Sequence, residues 1–193
     1  MIRLAFLVSG RGSNLQAALD AITSGTLDAE ITGVFSDRPD CAALVRVPAP
    51  LRWSRDARTF TDRAAFDAEL GDAVAASQPD LVVCAGYMRI LGDAFVQRFA
   101  GRLINIHPSL LPKYRGLHTH RRAIEAGDAE HGASVHWVTP ELDAGAVIAQ
   151  ARIPITPGDT PAALAAKLLP LEHALLVDVL RDAAAGRLIP PAT

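Results

Sequence analysis

Cysteine is scarce in this sequence, which excludes a fold that depends on disulfide bonds. Cys41 and Cys84 are the only cysteines among the 193 residues, too few for the disulfide framework of a small secreted protein. Cys84 lies within an apolar run, where a thiol is expected to behave as a small buried hydrophobe. A reducing compartment suits such a chain, so we expect a cytoplasmic protein.

The sequence also lacks a membrane-length apolar run and an excess of either charge. No apolar stretch approaches the ~18 residues of a membrane span, and the run 4–8 has neither the length nor the cleavage pattern of a secretory signal. Lys and Arg number 19 against 21 Asp and Glu, a formal net charge of −2. No overall field therefore favours nucleic acid or an acidic membrane. We expect neither nucleic acid nor a membrane as a partner. A small-molecule substrate is more consistent with this charge balance.

Aromatic residues are rare, at 5% of the sequence, although hydrophobic residues reach 50%. The core must therefore be built from Ala, Val, Leu and Ile, a composition that favours a helix-covered parallel sheet over an aromatic-rich β-sandwich. A chain of 193 residues is long enough for one substantial core. With no internal repeat or linker in view, the sequence predicts a single domain.

Four short apolar runs predict buried parallel strands, because they lack the polar alternation of a half-exposed sheet. These runs are residues 4–8, 31–35, 81–85 and 103–106. Between them, apolar residues recur every three or four positions, as on one face of a helix. Examples are Leu15, Leu19 and Ile22, and again Phe66, Leu70 and Val74. Such alternation predicts an α/β fold with a doubly wound, mostly parallel sheet, helices on both faces and a Rossmann-like N-terminal half.

Other local signals mark one helix start and the late part of the sheet. Ser13 followed by Gln16 predicts a capping box at the start of the first helix. Residues 134–138 and 147–153 predict two strands that pair as a hairpin-like addition to the sheet. The apolar residues of the segment 41–58 show neither helical nor strand spacing, and we assign no element to it.

An asparagine and a histidine stand two residues apart where the fourth predicted strand ends, within the sequence Asn-Ile-His-Pro-Ser-Leu-Leu-Pro at 105–112. Side chains at positions i and i+2 of a strand point to the same side, so Asn105 and His107 can face one substrate atom. Pro108 and Pro112 forbid regular structure beyond this point. The pattern is also typical of a strand that stops at two prolines and carries a capping asparagine, and spacing alone leaves both interpretations open.

A glycine-rich segment, Gly10-Arg11-Gly12-Ser13-Asn14, lies between the first predicted strand and the first helix. Small residues there let backbone N–H groups approach an anion, and the helix dipole favours negative charge, which indicates a phosphate site. A dinucleotide fingerprint would have Gly or Ala where Leu15 stands, although Asp37 can imitate its ribose-binding acid. A NAD-type site and a plain tight turn stay open as alternatives.

The block 105–112, with Arg115-Gly116 behind it, resembles the signature of the formyltransferases and hydrolases that use 10-formyltetrahydrofolate. The segment 8–16 is similar to the phosphate loop of the phosphoribosylglycinamide formyltransferases. Further matches follow in chain order at residues 85–91, 116–121, 141–143 and 172–173. The resemblance therefore covers most of the chain.

The resemblance implies the formyltransferase fold as a single domain over residues 1–193. It implies a phosphate- and ribonucleotide-binding half at 1–100 and a catalytic and folate-binding half at 101–193. The implied activity is transfer of a formyl group from 10-formyltetrahydrofolate, as co-substrate, to the amine of glycinamide ribonucleotide in purine biosynthesis. A 10-formyltetrahydrofolate hydrolase or another formyltransferase is the near alternative, and a non-catalytic NAD-binding module is the alternative of another class. We expect a monomer or a weak homodimer.

The same resemblance implies a catalytic group of Asn105, His107 and Asp143. Asp143 is expected to pair with His107, so that its opposite charge favours the imidazolium form. The ribonucleotide is expected to bind at Gly10, Arg11, Gly12, Ser13, Asn14 and Glu172. The folate is expected to bind at Arg63, Met88, Arg89, Ile90, Leu91, Asn105, Pro140, Glu141 and Leu142.

Two histidines, His118 and His120, invite a metal interpretation, because two imidazoles with nearby acids can bind zinc. A compact third-ligand motif is missing, so we expect no metal. We expect His118 instead to support the site from behind, near Asp143. His131, His136 and His173 are expected to be structural, with His136 a satisfied core histidine.

Overall fold

The apolar runs become strands of one seven-stranded sheet in the computed structural model, which describes residues 1–191. In chain order the strands are β1 (Ile2–Val8), β2 (Ala29–Ser36), β3 (Arg52–Ser54), β4 (Leu81–Cys84), β5 (Leu103–His107), β6 (Glu130–Trp137) and β7 (Val147–Pro154). They are arranged in the order β3-β2-β1-β4-β5-β6-β7. Pairing is parallel from β3 to β5 and antiparallel for β5, β6 and β7. The predicted mostly parallel sheet and its hairpin-like addition are confirmed, with small shifts at the strand ends.

Helices cover both faces of this sheet. They are α1 (Ser13–Thr23), α2 (Arg63–Ala76), α3 (Asp93–Arg98), α4 (Thr119–Glu125) and α5 (Pro161–Ala184). Successive residues of β1 point to opposite faces: Leu4 and Phe6 join the core formed with α1 and α5, whereas Ala5 and Leu7 join the core formed with α2 and α3. The doubly wound arrangement is therefore confirmed. None of the helices within residues 1–191 combines the length and the apolar character needed to cross a membrane.

The capping box predicted at Ser13 is wrong. The N-cap of α1 is Gly12, in the left-handed conformation with φ 72°, and no side chain in the described part of the chain caps it. Ser13 is already the first helical residue. Gln16 instead donates to Asp20 and accepts from Arg46. Because glycine adopts a positive φ at little cost, the backbone alone turns the chain into the helix.

The unassigned segment contains the edge strand and three single 3₁₀ turns. These turns are Ala42–Arg46, Ala49–Leu51 and Ala57–Thr59, and β3 lies between the second and the third. Strand β3 is only three residues long and pairs with β2. Such a short strand has no period of its own, so its pairing partner defines it.

A crevice forms where the chain changes direction across the sheet. From β1 the chain first builds β2 and β3 on one side and then returns to β4 on the other. In open α/β sheets, ligands bind at this switch point, beyond the carboxyl ends of the strands. Ser9 closes the end of β1: its hydroxyl donates to Asp37 at 2.7 Å and accepts from the Met88 N–H at 2.9 Å.

Candidate active site

Strand β5 delivers Asn105 and His107 to the carboxyl edge of the sheet. Asn105 lies directly opposite His136 of β6 in the antiparallel register, where facing side chains are close neighbours. The Asn105 Nδ2 lies 3.1 Å from the His136 Nε2. The His136 Nδ1 lies 2.9 Å from the Trp137 carbonyl, which can only accept. The His136 Nδ1–H therefore donates to this carbonyl, and its Nε2 faces the Asn105 amide.

Asp143 places its carboxylate between two histidines. Its Oδ2 lies 3.5 Å from the His107 Nδ1, and its Oδ1 lies 3.5 Å from the His136 Nε2. The Gly116 N–H donates to Oδ2 at 2.9 Å. The Asp143 backbone has a φ of 48°, a left-handed conformation that is uncommon outside glycine and concentrates at functional sites. Asn105, His107 and Asp143, which were predicted to be catalytic, thus converge, with His136 as a fourth member. We refer to these four residues as the catalytic cluster.

The Asp143 carboxylate is held in its ionised form. Burial acts to raise its pKa, but hydrogen bonds from His136 and from the Gly116 N–H, together with the charge of His107, bring the pKa below the usual value. A fixed negative charge therefore stands beside both imidazoles near neutral pH.

Asp143 favours the imidazolium form of His107, as expected, but burial of the ring opposes it. Burial lowers the pKa of His107, and this outweighs the Tyr114 carbonyl and Asp143, which both act to raise it. The Nε2 lies 2.9 Å from that carbonyl, so the Nε2–H donates to it. The Nδ1 faces the Asp143 carboxylate, so both ring nitrogens of His107 face acceptors.

Two buried serines shape the turn that follows His107. The Ser109 N–H donates to the His107 carbonyl at 2.9 Å, and the Ser134 hydroxyl donates to the Ser109 carbonyl at 2.7 Å. The Leu111 N–H donates to the Ser134 hydroxyl at 3.1 Å. Ser134 lies opposite His107 in the β5–β6 register. The sequence did not single out Ser134 or His136 as site residues, because only this register of the folded chain brings them into the site.

A cavity of about 520 Å³, including the part open to solvent, adjoins the catalytic cluster. Asn105, His136 and Asp143 line it together with apolar residues such as Val96 and Val138. Five further residues predicted to bind folate line its walls: Arg89, Ile90, Leu91, Pro140 and Leu142.

The other predicted folate residues lie outside this cavity. Met88 is 69% exposed, while its backbone N–H donates to the Ser9 hydroxyl. Glu141 is exposed and pairs with Arg115 at 2.6 Å. Arg63 begins α2 and lines a separate hollow with Asp67 and Gly92.

Hydrogen bonds from the turn at 42–46 hold the glycine loop, residues 10–14, in place. The Ala43 N–H donates to the Gly10 carbonyl at 3.0 Å, and the Arg46 Nε donates to the Arg11 carbonyl at 2.8 Å. A Cβ on Gly12 would lie 2.5 Å from that of Ala43, so only glycine fits. The uncapped N–H groups at the start of α1 can bind an anion.

Helix α5 brings Glu172 to the glycine loop. Burial raises the pKa of Glu172, although a hydrogen bond from the Asn14 side chain acts to lower it. The Asn14 Oδ1 is buried and has no hydrogen-bond partner within residues 1–191. Two polar groups predicted to bind the ribonucleotide, separated along the chain, therefore lie side by side.

The remaining histidines do not join the catalytic cluster. His118 is exposed at the left-handed start of α4, with φ 60°, and Gly116 supplies the hydrogen bond to Asp143 instead. The supporting role of His118 stays a prediction. His120 pairs with His131, Nδ1 to Nε2, at 3.0 Å. In the described residues, no group of three or more His, Cys, Asp or Glu side chains is placed to hold a metal ion.

Similar proteins point to one family. Residues 2–180 match the family model described as formyl transferase. The phosphoribosylglycinamide formyltransferase of Escherichia coli is 47% identical over 189 residues, which cover 97% of this chain and 89% of that protein.

Solved structures agree with this result. The phosphoribosylglycinamide formyltransferase of Coxiella burnetii superposes with a TM-score of 0.93 at 46% identity, covering 99% of this chain and 90% of that one. Glycinamide ribonucleotide transformylase 1 of Symbiobacterium toebii superposes with a TM-score of 0.94 at 39% identity, covering 100% and 92%. The chain therefore belongs to the formyl transferase family and, within it, to the phosphoribosylglycinamide formyltransferases.

Proposed function

We propose that this protein transfers the formyl group of 10-formyltetrahydrofolate to the amine of glycinamide ribonucleotide, a step of purine biosynthesis. The convergence of Asn105, His107 and Asp143 at one end of a partly apolar cavity carries this proposal. The names of the relatives support it, since they describe formyl transfer to this ribonucleotide.

The ribonucleotide phosphate binds at the glycine loop. Backbone N–H groups at the start of α1 and the positive end of the helix dipole attract the phosphate, and exposed Arg11 adds a positive charge. Gly10 and Gly12 let the backbone come close, and Ser13 supplies a further donor. Glu172 and Asn14 supply acceptors and donors for the hydroxyls of the ribose.

The reduced folate binds in the cavity beside the catalytic cluster. A flat ring with polar edges suits walls that combine the apolar side chains of Ile90 and Leu91 with the facing loop at Pro140 and Leu142. Arg89, whose buried Nε has no partner within the described chain, supplies an unused donor in this wall. Glu141, Met88 and Arg63 then lie outside the cavity, where the acidic tail of the folate leaves it.

The chemistry needs an oxyanion stabiliser and a group that moves one proton. The amine nitrogen forms a bond to the formyl carbon, and the bond from that carbon to the folate nitrogen breaks. Negative charge develops on the formyl oxygen, where the second N–H of the Asn105 amide stabilises it. His107 relays the proton that the attacking amine loses to the departing folate nitrogen. As the imidazolium, it lies beside the Asp143 carboxylate.

The protein works in the cytoplasm and binds small molecules only, as a monomer or a weak homodimer. Its two cysteines are free and buried, as suits a reducing compartment. The N-terminal half holds the ribonucleotide, and the C-terminal half supplies the catalytic cluster and a wall of the folate cavity.

An absorbance assay of 10-formyl-folate conversion tests the proposal. We expect conversion only when glycinamide ribonucleotide is present, with formyl-ribonucleotide as a product of equal amount. Conversion without the ribonucleotide indicates the hydrolase alternative. Tight NAD binding without conversion indicates the non-catalytic alternative, and either result contradicts the proposed function.

A further inference from the structure

A row of three polar side chains crosses the sheet from the catalytic histidine to an edge strand. His107 on β5 lies opposite Ser134 on β6, and Ser134 lies opposite Gln150 on β7. Residues that face each other across neighbouring strands point to the same side of a sheet. Strand β7 is one edge of the sheet. Gln150 is therefore two strands away from His107 and on the same face.

The Ser134 hydroxyl lies in the middle of this row and uses all of its hydrogen-bonding capacity. Ser134 is fully buried. Its hydroxyl donates to the Ser109 carbonyl at 2.7 Å. It accepts from the Leu111 N–H at 3.1 Å and from the Gln150 Nε2 at 2.9 Å. A hydroxyl has one hydrogen and two lone pairs, so Gln150 completes its set of partners.

The Gln150 amide also binds the turn at 108–112 directly. Its Nε2 donates to the Leu111 carbonyl at 3.0 Å. The amide nitrogen has two hydrogens, which suffice for the Leu111 carbonyl and the Ser134 hydroxyl. A carbonyl can only accept, so the nitrogen of the amide, and not its oxygen, must face the turn.

The turn at 108–112 depends on side chains because two of its residues are prolines, which have no N–H. The Leu111 N–H binds Ser134 rather than the backbone, and the Leu111 carbonyl binds Gln150. The Thr119 hydroxyl holds the start of the turn by donating to its first carbonyl at 2.6 Å. Ser134 and Gln150 therefore attach the later part of the turn to β6 and β7.

The position of this turn affects His107 from two directions. At the start of the turn, the Ser109 N–H donates to the His107 carbonyl at 2.9 Å. Just beyond its end, the Tyr114 carbonyl accepts from the His107 Nε2–H at 2.9 Å. A shift of the turn would move both partners, and with them the imidazole relative to Asp143. Misplacement of a reacting group by ~1 Å can cost about 100-fold in rate.

We propose that Gln150 is a positioning residue for His107, because it holds the turn at 108–112 through the Ser134 hydroxyl and the Leu111 carbonyl. This inference rests on the proposed function, in which His107 relays a proton. Gln150 lies outside the cavity beside Asn105 and lines a separate surface hollow. Its effect on turnover therefore passes through the turn.

Two Gln150 variants and one matched control form the experiment. Gln150→Met keeps the length of the side chain and removes both hydrogen bonds. Gln150→Glu keeps its shape, but an ionised carboxylate only accepts and cannot bind the Leu111 carbonyl. Arg152→Gln is the control, because Arg152 lies on the same strand, lines the same hollow and pairs with exposed Glu130 at 3.1 Å.

Each protein is compared, well below its melting temperature, by its kcat, its KM for both substrates and the ¹H–¹³C NMR signals of its histidine rings. The His107 signal is identified by its loss in His107→Ala, and it reports the surroundings of the ring without any turnover. A residue that serves packing alone would change the melting temperature but neither kcat nor this signal.

Both Gln150 variants should shift the His107 signal and lower kcat about tenfold, less than the ~100-fold cost of a full 1 Å misplacement. The KM for the ribonucleotide should stay unchanged, because the glycine loop is intact. Arg152→Gln should match the wild type in every measurement.

Either a wild-type kcat or an unmoved His107 signal in both Gln150 variants overturns the proposal, and so does an equal loss in Arg152→Gln. Should Gln150→Met fail to fold, Gln150→Glu decides the matter by the same measurements. A wild-type protein without formyl transfer contradicts the proposed function, while the ring signal still decides whether Gln150 positions His107.

Discussion

The glycine loop and the catalytic cluster lie at the same edge of the sheet, yet they are built in different ways. The loop offers backbone N–H groups, and its shape depends on Gly12 and on backbone bonds from the turn at 42–46. The catalytic cluster offers side chains, held by one another in a largely buried setting. A backbone site should tolerate most side-chain changes that keep its shape. A side-chain site depends on the identity and the protonation of each member.

The catalytic cluster should show the largest effect of all. Asn105→Ala or His107→Ala should lower kcat by about 10²–10³, since each removes a group that acts on charge or a proton in the transition state. Calorimetry should find the affinity for the ribonucleotide unchanged, because the glycine loop is intact. Wild-type turnover in either variant would refute the assigned roles.

Asp143→Asn should lower kcat by about 100-fold, because the imidazolium formed during the reaction loses its neighbouring charge. The variant also removes a group that raises the pKa of His107, so the acid limb of the kcat profile should move to lower pH. Glu125→Gln, an exposed charge change on α4, is the control. An acid limb that stays in place in Asp143→Asn would contradict the coupling.

Buried histidines should make the catalytic half the acid-sensitive part of the fold. Burial, with the charge of His120, lowers the pKa of His131 from 6.5 to about 4. The unfolded chain therefore takes up this proton first, and stability present above pH 6.5 is lost as the pH falls toward 4. The loss should be about 2 kcal/mol between pH 7 and pH 5.

Urea unfolding at both pH values measures this loss in the wild type, in His131→Gln and in the exposed control His118→Gln. The pH-dependent loss should shrink in His131→Gln and persist in His118→Gln. An equal loss in all three proteins would show that His131 is not its source.

The glycine loop should show the smallest but most selective change. Gly12→Ala forces a Cβ against Ala43 at a φ of 72°, and it should weaken ribonucleotide binding about tenfold, in line with the ~1–2 kcal/mol cost of a left-handed residue. Gly25→Ala shares the positive φ, at 74°, but meets no atom within 4 Å. It should lose stability only. Equal binding by both variants would mean that the loop shape does not determine affinity.

Local patterns account for the parts of the molecule that sequence alone predicted. The apolar runs, the hairpin-like addition and the Asn105–His107 spacing depend on neighbours in the chain, and each has its counterpart in the structure. The glycine loop also lies where the pattern placed it, between a strand and a helix.

Contacts between distant segments account for the rest. His136 and Ser134 join the site only through the antiparallel register of β5 and β6, which no local pattern fixes. The lowered pKa of His107 depends on burial, a property of the folded chain. The capping box failed because Gly12 already turns the backbone without a side-chain bond, and β3 was missed because it is defined by its partner.

The Ser9 hydroxyl has a consequence for protein engineering. It accepts from the Met88 amide and donates to Asp37. The strand that precedes the glycine loop and the segment that leads into the cavity wall are therefore linked through one hydroxyl. The position of the glycine loop therefore depends on residues outside it. A designer who transplants it into another scaffold must include that acid and that amide, or the graft will lack the hydrogen bonds that fix the distance between the loop and the cavity wall.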